Sequence, residues 1–194
     1  SAGGATPQAV YALANTAIAA ATAGLTWTLA SWQIGGKPTV VGAVSGVVAG
    51  LVAVTPASGY VMPMEALAIG GIAGVLCYGA VRLRARVGFD DSLDVVGVHG
   101  VGGMWGALAT GLFANSAVSG LSYADGVFQG EWSRFTDALI GIGAIGAYSF
   151  VMSFILLKAI NAISPIRVSE DEEDLGLDPT QHGERAYTLD EAGT

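Results

Sequence analysis

The sequence predicts an all-α membrane protein with five transmembrane helices, and three observations carry that reading. Hydrophobic residues make up 52% of the 194 residues and charged residues only 12%, about half the charged share of an average soluble domain. The apolar residues collect in five runs near the ~20 residues that a helix needs to cross a bilayer. Charge collects elsewhere: from Glu170 onward the chain reads EDEEDLGLDPTQHGERAYTLDEAGT, polar and acidic. The expected organisation is a transmembrane domain over 1–164 and an acidic tail over 165–194.

The spans follow in order. Ala9 to Trp32 is rich in Ala and Thr. Val40 to Val54 is short and stopped by TPASGY. Met62 to Val81, Asp94 to Ala114 and Ala138 to Ile163 complete the set. Gly42, Gly46 and Gly50, then Gly70 and Gly74, recur at four-residue spacing, which lets helix backbones approach closely in lipid. Thr55 and Pro56, followed by Gly59 and Pro63, interrupt the second run. Such interruptions point to transporter binding sites and equally describe an ordinary loop. The tail has the composition of a partly disordered segment.

Lys and Arg set the orientation. With five spans, Lys37, the trio Arg82, Arg84 and Arg86, and then Lys158, Arg167 and Arg185 all fall on one side. The other side has Arg134. Ser1 is therefore expected outside and the tail in the cytoplasm. Trp27, Trp32 and Trp132 read as interfacial anchors, and Trp105 as packing. The net charge of −8 argues against nucleic-acid binding, which needs a basic surface. Cys77 is single, so no intrachain disulfide and no metal cluster is suggested. No Ser-His-Asp set, phosphate loop or nucleotide fingerprint appears, so neither an enzyme nor a cofactor is expected. The absence of an initiator Met suggests a chain that begins mid-protein.

Within DVVGVHGVGGMWGALATGLFA, Asp94 to Ala114, lies one titratable ring, His99. On a regular helix it shares a face with Val95, Gly102, Gly103, Gly106 and Thr110. Either another helix packs on that stripe, or the stripe borders a narrow channel in which the imidazole is the polar feature. Ionisable residues inside spans are expensive and usually functional; the alternative is one structural interhelical hydrogen bond. A neutral imidazole both donates and accepts hydrogen bonds, which suits a small polar solute. Asp91 and Asp94 read as helix N-terminal caps, and Asp90 as a loose partner of the nearby arginines.

The stretch DDSLDVVGVHGVGGMWGALATGLFA resembles the signature around the second pore histidine of ammonium transporters, the Amt/Mep/Rh superfamily. GAVSGVVAGLVAVTPASGYVMP is similar to the preceding helix of that family, and GLDPTQHGERAY to the cytoplasmic tail of its Amt branch. The resemblance implies the second inverted repeat plus the last helix of the eleven-helix ammonium transporter fold. It further implies a homotrimer in the plasma membrane, each subunit with its own pore. The amino-terminal half would carry the first pore histidine, the external tryptophan, most gate aromatics and an acidic residue near the entrance. It implies roles for single residues too. His99 matches the second pore histidine, Ser1 the external recruitment serine, Thr55 a pore-side threonine and Val95 a pore-lining apolar residue. Ammonium, or methylammonium, would cross as ammonia plus a proton. The tail residues Gly176, Asp178, His182, Gly183, Glu184 and Tyr187 would form the regulatory contact under the trimer, where P-II-type nitrogen signalling proteins bind. An ammonium sensor that kept the fold and lost conduction is the alternative, and a poorly folding truncation product is a third.

Overall fold

The computed structural model describes residues 4–184. The chain divides into two compact units, Ser1–Ala144 and Ile145–Thr194.

In the first unit, α1 (Pro7–Gly35) starts behind Thr6, whose hydroxyl accepts the Ala9 N–H, with Pro7 in the first turn. There the missing N–H costs nothing. Thr39 caps α2 (Val40–Val54) in the same way through the Gly42 N–H. α3 (Pro63–Val87) again opens on a proline and ends at Gly88, in the left-handed conformation at φ 75°. A single turn of π-helix (Val96–Gly100) runs directly into α4 (Val101–Phe113). A short α5 (Ser116–Ser119) and a 3₁₀ turn (Val127–Gln129) lead to α6 (Ser133–Ile163). Among the described residues every regular element is helical. The helices α1, α3 and α6 are long and apolar enough to cross a membrane, and α2 is a shorter apolar helix.

Helices α1, α2 and α3 pack as a tight trio whose contact faces are mostly glycine and alanine. A Cβ at Gly46 would lie 2.6 Å from the Trp27 Cβ, and one at Gly50 2.7 Å from the Ala23 Cβ. On α3, Gly70 abuts Ala19 and Thr22, and Gly74 abuts Ala23 and Thr26. The four-residue glycine spacing is therefore a set of seats for α1, the close backbone approach expected in lipid. Around these seats the core holds Ala53, Val54, Val61, Ile69 and Ala109, and Trp105 packs on it while its indole N–H donates to the Ile69 carbonyl at 3.0 Å.

The TPASGY loop is not free. Asn15, fully buried on α1, donates through Nδ2 to the carbonyls of Ser58 at 2.8 Å and Val61 at 2.7 Å. Gln8 adds a bond to the Gly59 carbonyl. These side chains satisfy loop carbonyls that would otherwise be stranded away from water.

The largest departures from the sequence expectation are at the end of α3, the start of α6 and in the tail. α3 continues to Val87, beyond Val81, because Arg84 and Arg86 occupy its last turn, where cations favour the negative end of the helix dipole. α6 starts at Ser133, ahead of Ala138. In the second unit the tail, expected to be partly disordered, contains a capped helix among its described residues, α7 (Glu170–Leu175). Ser169 and Glu172 form a reciprocal capping box. Arg167 grips Glu173 with two bonds of 2.7 and 2.9 Å. These local bonds supply the order that the acidic composition hid.

Candidate functional site

The segment bearing His99 is fixed from its entrance. The two carboxylate oxygens of Asp91 accept the N–H groups of Val95 at 2.9 Å and Val96 at 2.8 Å, capping the first turn as expected. Asp94 does something else. Its backbone stands at φ 54°, the left-handed region, and its carboxylate pairs with the Arg84 guanidinium at 2.7 Å. The N–H of Val101 then reaches back to the Val96 carbonyl, which closes a turn one residue wider than an α-turn.

That wider turn changes which residues share a face. In a regular helix His99 would sit one turn below Gly102. Here Gly97 and Val98 take the buried positions below it, and His99 is carried round to an exposed flank. Gly102 and Gly106 are buried: a Cβ at Gly102 would meet Cys77 and Val52, and one at Gly106 would meet the Ala53 backbone. The glycine stripe is thus a packing face against α2 and α3, and the imidazole stands beside it rather than over it. Single π-turns inside helices recur at functional sites.

What His99 faces is a cavity of about 320 Å³. On one side α2 contributes Val40, Val41, Val44 and Val48, with Ser45 as its single hydroxyl. On the other stand Leu93, Asp94, Val98 and His99. An apolar wall with one hydroxyl, one carboxylate and one imidazole offers hydrogen bonds to a small solute at few points. The Asp94 carboxylate is already engaged by Arg84.

The other residues expected in the pathway are not gathered here. Val95 begins the turn and is half-exposed, outside the cavity lining. Thr55 is the C-terminal cap of α2, roughly 16 Å along the helix from Val44 at 1.5 Å per residue. Its hydroxyl donates to its own helix, to the Leu51 carbonyl at 2.6 Å. Ser1 lies outside the described residues. The sequence reading missed Ser45 and the Arg84–Asp94 pair; a loop contact ten residues apart has no periodic signal.

In the second unit, Gly176 closes α7 at φ 94° and Gly183 closes a π turn (Asp178–His182) at φ 68°. Glu184 donates its N–H to the Asp178 carbonyl at 3.2 Å. Five of the six tail residues named from the sequence therefore form one compact run, and Tyr187 lies outside the described residues. Hydrogen bonds from Ser169 hold the Glu172 carboxyl below its ordinary range, and those from Arg167 do the same for Glu173.

Known proteins share both sequence and fold with this chain. The family model for the Ammonium Transporter Family matches residues 1–187. The chain is 46% identical over 180 residues to an ammonium transporter of Bacillus subtilis, covering 92% of this chain and 44% of that protein. It is 44% identical over 180 residues to ammonium transporter Amt1 of Archaeoglobus fulgidus, covering 93% of this chain and 45% of the relative. The chain thus spans less than half the length of these relatives. Among solved structures, Saccharomyces cerevisiae Mep2 superposes with a TM-score of 0.80 at 40% identity, covering 87% of this chain and 40% of Mep2. A structure described as a sensor Amt protein gives 0.78 at 26% identity, covering 90% of this chain and 42% of its own. With its long apolar helices, this chain is a multi-pass helical membrane protein, and it belongs to the Ammonium Transporter Family.

Proposed function

We propose that the full-length protein is an ammonium transporter of the plasma membrane and that this chain supplies the second half of its pore. The observation that carries the proposal is His99, turned out of the packed glycine face to border a valine-lined cavity. The names of the relatives supply the substrate, ammonium, with methylammonium as a close analogue. Valine walls disfavour a charged ion and accept neutral ammonia, because desolvating a charge without a partner is costly. Ammonium therefore gives up its proton to water before the apolar stretch, the ammonia takes hydrogen bonds from the imidazole on the way, and the proton crosses separately, so that net transport carries charge. The chain contributes five spans, the two short ones being α2 and the π turn with α4. These are the second inverted repeat and the last helix of the eleven-helix fold, assembled as a trimer.

Under the same proposal, Ser1 helps recruit ammonium on the outer face, while Thr55 and Val95 line the pathway once the other half is in place. The segment after residue 164 is a cytoplasmic regulatory domain. Gly176, Asp178, His182, Gly183, Glu184 and Tyr187 form its contact surface, and a P-II-type protein is the partner. Likeness to a sensor Amt protein favours one second reading, a sensor that keeps the fold without conduction.

Ammonium-evoked current in liposomes containing the full-length protein tests the proposal. His99→Ala is expected to abolish the current or change its requirement for deprotonation. A His99→Ala variant equal to the parent in current and in isotope uptake overturns the role of His99. A parent that binds ammonium and moves none favours the sensor.

A further inference from the structure

One stripe of α3 touches the His99 turn at three successive points. Cys77, Val81 and Arg84 stand at i, i+4 and i+7, a single helix face. The Cys77 thiol lies 3.8 Å from the Val98 carbonyl as a weak donor. Val81 closes on Gly97, where an added Cβ would sit 2.8 Å from the Val81 Cγ2. Arg84 takes Asp94 at 2.7 Å. The first two contacts set how close the turn lies to α3. Neither sets its rotation, because a thiol–carbonyl contact and a glycine surface tolerate sliding. The ion pair is directional and sits at the end of the turn, just where the backbone adopts the left-handed φ of 54°.

Arg84 is committed to this contact. Its Nε is buried with no partner, so part of the guanidinium is desolvated while one NH2 group reaches the carboxylate. Asp91 meanwhile takes the N–H groups of Val95 and Val96 at the start of the turn. Asp94 is thereby released from capping and free to lock against α3. With Gly97 and Val98 held against α3, the ring that follows them points away from it, into the cavity beside α2.

We infer that Arg84 and Asp94 are positioning residues for His99: their ion pair holds the π turn in the rotation that keeps the imidazole on the cavity. The relevance to transport rests on the pore reading above; the geometry does not. Asp94→Asn isolates the effect, since Asn tolerates the left-handed backbone as well as Asp does and removes only the charge. Arg84→Gln breaks the pair from the other side. Arg84→Lys keeps a cation that can make the single contact seen.

The experiment is carbethoxylation of the full-length protein with diethyl pyrocarbonate, read separately at His99 and His182 by peptide mass spectrometry. Exposed neutral imidazoles react, so the His99 rate reports whether the ring stands in the cavity or turns toward the packed Gly102 face. Asp94→Asn and Arg84→Gln should each slow His99 by roughly fivefold, the scale of a partly exposed ion pair, with His182 unchanged. The double variant should be no slower than either single, because both remove one interaction, and Arg84→Lys should react at the parent rate. A His99 rate unchanged or raised in Asp94→Asn protein that elutes like the parent overturns the inference. So does an additive double variant. If Asp94→Asn does not fold, Asp94→Glu, which keeps the charge and displaces it, is read the same way. The two readings fail separately. Normal transport by His99→Gln with slowed labelling in Asp94→Asn removes the pore role and leaves the positioning. Lost transport in His99→Gln with unchanged labelling in Asp94→Asn does the reverse.

Discussion

Two glycine stripes in this molecule look alike in sequence and differ in what they do. Gly42, Gly46 and Gly50 on α2 lie against α1 along their whole length. Gly102, Gly103 and Gly106 on α4 are only partly covered: Gly102 and Gly106 are buried, whereas a Cβ at Gly103 would have no neighbour nearer than the Val52 Cγ1 at 4.0 Å. The first stripe is regular helix throughout. The second is entered through a π turn and a left-handed aspartate. Glycine spacing therefore reports close packing in both places. The departure from α-geometry at one end is what distinguishes the place where a titratable ring is presented.

The largest effect that would break this comparison is at Gly50. A leucine there must displace the Ala19 backbone and the Ala23 methyl group of α1. Overpacking of this kind costs about 3 kcal/mol or more. Gly50→Leu is expected to abolish monodisperse protein in size-exclusion chromatography, and a parent-like elution profile would show that the α1–α2 seat is soft.

Asn15→Leu comes next. The Asn15 amide holds the α2–α3 loop through two carbonyls, and removing it leaves both without that donor at a cost of about 2 kcal/mol. Melting in detergent should occur at lower temperature with the α1 packing otherwise intact. If the melting temperature holds, water or lipid headgroups replace the amide and the loop is less buried than its contacts indicate.

The helical fold was legible because hydrophobic runs and glycine spacing are local signals, and both act through the same backbone approach. Gly46 and Gly70 needed no partner identified in advance. The site was legible in its residue and less so in its geometry. His99 stood out as the one titratable ring in the run, yet a regular helix placed it over Gly102 and Gly106. The π turn that moves it is bordered by the Asp91 cap and by Arg84 meeting Asp94 across a loop, which no 3.6-residue period encodes. Ser45 was missed for a related reason: a serine among valines gains meaning only from the helix opposite. Arg84 pairs with Asp94 where a cap was expected, while Asp91 accepts the Val95 and Val96 N–H groups.

Gly103→Ala sharpens the comparison with a small effect. The position has room for a methyl group, and Ala is favoured over Gly in a helix by about 1 kcal/mol. Stability should hold or rise slightly. If ammonium current falls in the same variant, the open part of the stripe borders the pathway; if current and stability both match the parent, Gly103 is neither seat nor lining.

The smallest effect is confined to the tail, where order comes from local charge rather than glycine packing. Ser169 hydrogen bonds lower the Glu172 pKa and Arg167 lowers that of Glu173, so folding favours their charged forms. For carboxyls depressed in the folded state, the contribution is complete above the ordinary value of 4.5 and is lost as pH falls through the lower folded values. Amide exchange across Glu172–Gly176, corrected for its intrinsic pH dependence, should therefore stay slow at neutral pH and rise below about pH 4.5. Ser169→Ala should raise it already at neutral pH, since an N-cap is worth about 1 kcal/mol, while α1–α3 exchange stays unchanged. Exchange that is equally fast at pH 7 and pH 3.5 in the parent would mean that the capping box does not hold α7, and that the tail needs a bound partner to become ordered.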